Sequence, residues 1–192
     1  MVRRLPAEPL DPGAFIATLK PMTTLVLTVV GADRAGLVAA VADVVDAHGG
    51  NWENSQLAEL SGAFAGIIEV SVDTGRVDEL RTALSKLDGL LTVAVHESEA
   101  AAAEAAEPRR FAFRVLGNDH PGIVREISST LSAHGLSIDR MSSETYDAAM
   151  SGGRLFEALS AVRVEVAVDV DAGTSALEAL AAEIQVDVTL ES

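Results

Sequence analysis

The chain has 192 residues and a formal net charge of −15, and it contains no cysteine. Both of its halves are acidic, so direct binding to nucleic acid or to an anionic membrane is disfavoured. The lack of cysteine excludes disulfides and thiolate chemistry, and no apolar run is long enough for a signal core or a membrane span, so we expect a soluble, cytoplasmic protein.

The chain opens with residues 1–22, which hold four of the six prolines and show no clear period, as is typical of a flexible leader. Residues 25–30 form a nearly continuous apolar run that ends at Gly31, which indicates a buried strand. A helix is predicted from about Ala35 to His48, because its apolar residues recur on one helical face and a glycine pair follows it.

The rest of the first domain is predicted to contain strands over residues 51–60, 64–73 and 91–97 and a helix over residues 76–87. The order is β-α-β-β-α-β, which is that of the ferredoxin-like fold, where helices cover one face of an antiparallel sheet. We assign this first domain to residues 23–98.

The same pattern returns 86 residues later in the chain. The corresponding positions are Gly31 and Gly117, Asp33 and Asp119, Gly36 and Gly122, and His48-Gly49 and His134-Gly135. Residues 99–110, rich in Ala and Glu, are predicted to be a linker, and residues 111–192 a second domain of the same kind. The elements predicted in it are strands over residues 111–116, 137–146, 159–169 and 186–191 and helices over residues 121–134 and 174–184. The fold class is therefore α+β, with two ferredoxin-like domains in tandem.

The second repeat is longer between its second and third strands. His48 and Asp73 are 25 residues apart, whereas His134 and Asp169 are 35 apart, which predicts about ten extra residues. This insertion, around residues 147–158, includes the pair Leu155-Phe156. It is either a lid or partner contact, or a long hairpin whose two apolar side chains cover the core. We favour the core for these two side chains and leave the role of the loop open.

The loop between the first strand and the first helix is the best candidate for a ligand site. A glycine-containing loop that leads into a helix N-terminus offers unpaired N–H groups and a partial positive charge, which suit a carboxylate. Gly36 and Gly122 allow close approach, while Asp33 and Asp119 are suited to accepting a hydrogen bond from an ammonium group or to capping the helix. An amino acid has both groups. The competing interpretation, which the spacing alone favours, is that Asp is only a cap and Gly only allows helix and sheet to pack closely.

These loops carry a resemblance to a known family. Residues 31–38 (GADRAGLV) and 117–124 (GNDHPGIV) resemble the G-x-D-R-P-G-[LI]-[LV] pattern of ACT domains, as do the following His-Gly and the element order. The pair with its longer second hairpin is similar to the glycine cleavage system transcriptional repressor group. The resemblance covers residues 25–192 and implies a regulatory module that binds small ligands, often amino acids, where paired domains meet.

The resemblance also implies which residues bind the ligand. In the first repeat these are Asp33, Arg34, Ala35, Gly36 and Leu37, and in the second Asn118, Asp119, His120, Gly122 and Ile123. Asn51, just after the glycine pair that ends the first helix, and Asn54 are predicted from their position to supply further polar contacts. Ala35 replaces the usual proline, His120 the usual arginine, and Ser137 stands where the first repeat has Asn51. We therefore expect the two sites to differ and the first to be the stronger candidate.

The predicted function is that of a non-catalytic regulator that senses an amino acid such as glycine or serine. It is expected to act through a protein partner, to form a homodimer, and to need no cofactor or metal. An enzyme is disfavoured, because the acids show no metal-ligand spacing and the histidines at the helix ends, His48 and His134, are predicted to be caps. A protein-interaction module of the same fold that binds no ligand is the alternative.

Overall fold

The computed structural model describes residues 20–98, 109–148, 153–164, 175, 179, 181–182 and 187–191. The chain divides into two compact units, Met1–Ala103 and Glu104–Ser192. The predicted leader and linker lie mostly outside the described residues. Met22, which the sequence assigned to the leader, and Arg109-Arg110, which it assigned to the linker, instead belong to the first strands of their units.

The first unit has the predicted element order. It consists of β1 (Met22–Ala32), α1 (Leu37–Ala47), β2 (Asn51–Leu60), β3 (Ala63–Asp73), a 3-10 turn (Thr74–Arg76), α2 (Val77–Ser85) and β4 (Thr92–Glu97). The strands pair in the order β2-β3-β1-β4, and each neighbouring pair is antiparallel. This is the ferredoxin-like topology that the sequence predicts.

The second unit repeats this topology. It consists of β5 (Arg109–Asn118), α3 (Ile123–Ala133), β6 (Leu136–Asp147), β7 (Arg154–Val164) and β8 (Asp187–Glu191), paired in the order β6-β7-β5-β8. The predicted helix over residues 174–184 falls mostly outside the described residues, and those described there, 175, 179 and 181–182, are helical. The chain is thus α+β, with two ferredoxin-like repeats in tandem.

The core of the first unit lies between one face of its sheet and its two helices. Alternate residues of β1 and β3 point to this core, with Leu27 fully buried, because successive side chains of a strand face opposite sides. The helices contribute residues at helical spacing: Leu37, Val41 and Val45 from α1, and Val77, Leu80 and Leu84 from α2. Helices therefore cover one face of the sheet, as predicted, and we call the opposite side the outer face.

The hairpin of the second unit corrects the predicted insertion. Gly31 pairs with Phe64 and Gly117 with Phe156, so the third strand is displaced by 92 residues, six more than the 86 of the loop. The hairpin therefore accounts for six extra residues rather than ten, and its third strand begins at Arg154 rather than near Leu159. Phe156 is buried in the core, which confirms the structural interpretation of that side chain.

The sheet of the first unit has two distinct ends. At one end, Ala32 lies opposite Ala63 beside the β2–β3 turn, and the α2–β4 turn approaches the same end. At the other end lie Met22, the start of β2 and the 3-10 turn. Among the described residues, no helix combines the length and apolar character that crossing a membrane requires.

Candidate ligand site at the loop between strand and helix

The first loop, residues 33–36, turns sharply just before α1. Gly36 caps the helix with φ +92° and ψ 0°, a left-handed conformation that favours glycine, and no side chain caps the first turn. The first intrahelical bond runs from the amide of Ala40 to the carbonyl of Gly36, 2.9 Å away. The preceding amides of this turn therefore point out of the helix end, where a ligand can meet them.

Hydrogen bonds hold the loop from both sides. The amide of Asp33 donates to the carbonyl of Gly62 in the β2–β3 turn at 2.8 Å. The Nη2 of Arg34 donates to the carbonyl of Gly89 in the α2–β4 turn at 3.0 Å. Arg34 therefore ties two loops together at this end of the sheet, which fixes the position of the uncapped helix end.

The competing interpretation of the Asp and Gly residues is contradicted. Neither Asp33 nor Asp119 caps a helix, because Gly36 and Gly122 occupy the cap positions and neither helix has a side-chain cap. Nor does Gly36 mediate close packing of helix and sheet, since a Cβ placed there would meet no atom within 4 Å. The glycine serves the backbone conformation and leaves open space in front of the loop.

The predicted site residues of the first repeat do not all meet. Asp33, Arg34, Ala35, Gly36 and Leu37 are consecutive in the loop. Asn51, in contrast, lies level with Thr24 of β1, and Asn54 level with Val26. Thr24 is nine residues from Asp33 along β1, so Asn51 lies about 30 Å from the loop at the rise of a strand. A single unit cannot present both to one small ligand.

At their own end of the sheet, the two asparagines take part in local contacts. The Nδ2 of Asn51 donates to Oε1 of Glu53 at 3.0 Å, and the hydroxyl of Ser71 donates to the same oxygen. These two bonds lower the pKa of Glu53, the Ser71 bond contributing most. Oδ1 of Asn54 accepts from the amide of Ser55. All of these groups surround the irregularity in β2 between Trp52 and Asn54.

In the second repeat, the predicted residues Asn118, Asp119, His120, Gly122 and Ile123 share one loop. The amide of Asp119 donates to the carbonyl of Arg154 at 2.8 Å, as Asp33 does to Gly62. Here the hairpin residue is charged, and the Nε of Arg154 lies 3.9 Å from Oδ2 of Asp119. The carboxylate of Asp119 therefore already faces a cation.

The N-terminus of α3 likewise already has a carboxylate beside it. Glu126 lies in the first turn, and its Oε1 is 3.7 Å from where a Cβ of Gly122 would stand. Its Oε2 is 3.8 Å from Nε2 of His120. The corresponding position of α1 is Ala40, and the first turn of α1 contains no acid. The partial positive charge of a helix N-terminus is thus compensated by a side chain in α3 and left open in α1.

Neither of these two differences between the loops was predicted from the sequence. The offset of 86 residues places Glu126 opposite Ala40 and was sufficient to reveal the first difference. The second, Arg154 in place of Gly62, requires the offset of the third strand, which only the strand pairing provides. The prediction that the loops differ and that the first is the stronger candidate remains a prediction, and these residues support it.

The other predicted chemical groups have structural roles. The Nδ1 of His48 lies 2.7 Å from the carbonyl of Val44, and that of His134 lies 2.8 Å from the carbonyl of Thr130. Both rings thus occupy helix C-termini, as predicted. In the described part of the chain, no group of three or more His, Asp or Glu side chains is placed to hold a metal ion.

Comparison with known proteins extends these findings. Residues 23–96 match the family profile of the ACT domain. A UPF0237 protein of Methanopyrus kandleri is 35% identical over 82 residues, which are 40% of this chain and 90% of that protein.

Two solved structures resemble this chain over most of its length. A protein of Galdieria sulphuraria described as unknown has a TM-score of 0.76 and 26% identity, over 89% of this chain and 98% of that one. A protein assigned as a glycine cleavage system transcriptional repressor has a TM-score of 0.66 and 19% identity, over 88% of this chain and 96% of that one. At that identity the second likeness shows a shared fold.

Proposed function

The chain belongs to the ACT-domain family, and from this premise we propose that it is a non-catalytic regulatory protein that senses a free amino acid, such as glycine or serine, at its first loop. The observation that carries this proposal is the difference between the two helix N-termini. The first turn of α1 has no acid and no side-chain cap, whereas the first turn of α3 has Glu126 beside its glycine. A ligand carboxylate is therefore favoured at α1, and at α3 it would meet a carboxylate already in place.

The loop of α1 also offers a partner for the ammonium group of an amino acid. The carboxylate of Asp33 is exposed and does not cap the helix, so it is available beside the uncapped amides. The space in front of Gly36 is open, which lets the ligand backbone approach the protein backbone. We therefore assign the ligand to Asp33–Leu37, with the carboxylate at the amides and the ammonium group at Asp33.

The output of this sensor is proposed to be a regulatory protein partner. A net charge of −15 opposes direct contact with nucleic acid or with an anionic membrane, so an effect on transcription or on amino-acid metabolism would pass through another protein. We propose that the protein acts in the cytoplasm and without a cofactor.

A ligand-independent interaction module is the second candidate. It is favoured by the placement of Asn51 and Asn54, which the predicted site includes and which lie at the far end of the sheet from the loop. In this alternative the uncapped end of α1 binds water only, and the protein acts through its surfaces.

Thermal unfolding against a panel of free amino acids separates these candidates. A ligand at a hundredfold excess over its dissociation constant stabilises the native state by about 2.7 kcal/mol. We expect glycine or serine to raise the unfolding temperature of the wild type. Ala40→Glu, which copies Glu126 into the first repeat, should raise the unfolding temperature without ligand, because an acid favours a helix N-terminus, and should abolish the response.

The matched control is Glu126→Ala, which removes the corresponding carboxylate from the second repeat. It should keep the full response of the wild type. An Ala40→Glu protein that folds and still responds would move the site away from α1. A wild type that responds to no amino acid in the panel would favour the interaction module.

A further inference from the structure

The outer face of the first sheet is apolar although no helix covers it. The run at residues 25–30 is apolar at almost every position, a pattern typical of strands that are buried on both faces. Helices cover only the side of Leu25, Leu27 and Val29. On the opposite side Val30 is 47% exposed, and so is Ile67 of the neighbouring strand. The apolar pattern of β1 therefore indicates that a second layer covers the outer face.

The uncovered apolar region follows the pairing of the strands. Three consecutive cross-strand rows run from the row of Thr28 and Ile67, through that of Val30 and Ala65, to that of Ala32 and Ala63. We call these rows, extended to the paired positions of β2 and β4, the outer patch. No position in it is charged, and Leu60 at its corner is 77% exposed. The outer patch is therefore neutral in a chain with a net charge of −15.

In the second unit, the same face of the sheet carries charged side chains that suit exposure to water. Arg114 and Glu157 stand where the first unit has Thr28 and Ala65, and their Nε and Oε1 atoms are 2.6 Å apart. The hydroxyl of Tyr146 also donates to Glu157, at 3.1 Å. Glu144 stands opposite Glu157. One fold thus carries an ion pair on this face in one repeat and uncharged residues at the same positions in the other, where the nearest charge is Glu69, one row beyond the outer patch.

We propose that the outer patch is the interface of a homodimer, in which the patches of two copies pack face to face. The charge of the chain favours a second copy as the partner that covers the outer patch. Acidic surfaces of two copies repel each other, and the outer patch is a region through which they can meet without bringing carboxylates together. If a face with charged side chains such as Arg114 and Glu157 packed against this patch, those charges would lose their hydration, which costs free energy. A second copy of the outer patch has no charge to desolvate and avoids this cost. The proposal does not depend on amino-acid binding.

The dimensions of the patch set the strength of this contact. Residues 28–32 of β1 and four strands span about 17 Å by 19 Å, roughly 320 Å² on each copy. A total near 650 Å² is below the usual size of specific interfaces, so we expect a weak, reversible dimer with a dissociation constant on the order of tens of micromolar. Small side chains such as Ala58, Ala65 and Ala94 allow two sheets to approach to the usual separation of about 10 Å.

Sedimentation velocity across a concentration series tests the interface, without added amino acid. The wild type should change from monomer to dimer over the micromolar range. Ile67→Glu should remain a monomer at every concentration. Leu159→Glu is the matched control, because Leu159 holds the same register position in the second unit and is equally exposed, at 47%. It should associate like the wild type.

A second variant removes the concern that a single charge unfolds the sheet. Thr28→Arg with Ala65→Glu transfers the ion pair of the second unit to the first, and should give a folded monomer by circular dichroism. A wild type that stays monomeric at about 0.1 mM would overturn the proposal. So would a folded Thr28→Arg/Ala65→Glu protein that still dimerises, or a Leu159→Glu variant that dissociates as Ile67→Glu does.

Discussion

At the scale of single residues, Gly36 decides the geometry of the proposed site. Its φ of +92° places it in a region that costs other residues free energy, and its surroundings are empty. Backbone conformation, rather than contact, therefore explains why glycine stands here. The backbone amides that are proposed to bind the ligand follow directly after Gly36, so the same conformation points them outward.

Gly36 gives a prediction about stability. Gly36→Ala should lower the free energy of unfolding by about 1 kcal/mol, although a Cβ meets nothing, because Ala adopts this conformation poorly. Gly36→Asn should lower it less, because Asn tolerates the left-handed region. Denaturant unfolding of both variants measures this difference. An equal loss in the two would show that backbone conformation is not the cause.

Glu53 gives a prediction about pH. Bonds from Ser71 and Asn51 hold its pKa below the ordinary value of a glutamate. A carboxyl whose pKa is lowered on folding contributes stability that is present above its unfolded pKa and is lost as pH falls through the folded one. Stability from Glu53 should therefore fall below about pH 4.5.

The free energy of unfolding, measured from pH 7 to pH 3, checks this prediction. Glu53→Gln removes the titrating group, so its curve should fall less steeply than that of the wild type in the acid range. Glu59→Gln, on the same strand, is the control. Curves for Glu53→Gln and wild type that run parallel throughout would contradict the account.

At the scale of elements, much of the fold was predictable because local signals agreed. Apolar periodicity located α1, α2 and α3, and the glycines after His48 and His134 ended two of them. The strand ends were less certain: β1 extends to Met22 and Ala32, beyond its apolar run, because its partner β3 continues the hydrogen bonding at both ends. Tertiary pairing sets such ends, and composition does not reveal it.

The placement of Asn51 within its own unit follows from the predicted topology. β1 and β2 both pair antiparallel with β3, so they run parallel to each other. α1 then returns the chain to the end where β1 starts, as in any strand–helix–strand crossover. The start of β2 must lie far from the loop that follows β1. Spacing in the sequence grouped residues that the crossover separates.

The predicted length of the second hairpin was wrong for a different reason. Matching Asp73 with Asp169 by residue type gave ten extra residues, whereas the pairing of Phe64 and Phe156 with their loop glycines gives six in the hairpin. Asp169 itself lies outside the described residues. Aromatic core positions are a better guide to register than surface acids, because a slip of one residue would move them to the other face.

At the scale of the whole molecule, two copies of one fold have diverged in complementary ways. The first repeat has an uncapped, acid-free helix N-terminus and a neutral outer patch, and the second has Glu126 at its helix and Arg114 with Glu157 on its outer face. We infer that the two repeats have different roles, and that the first repeat both senses a ligand and pairs with a second copy of the chain. The second repeat has the same fold, but its charged groups at these positions interact with one another.

The most direct test of the central claim is a titration of isotope-labelled protein with glycine and serine, followed by the backbone amide signals in NMR. We expect saturable shifts at the amides of residues 36–39, at the start of α1. The corresponding amides of residues 122–125, at the start of α3, should stay unchanged. Shifts confined to the second loop, or to the start of β2 near Asn51, would contradict the assignment of the ligand to the first loop.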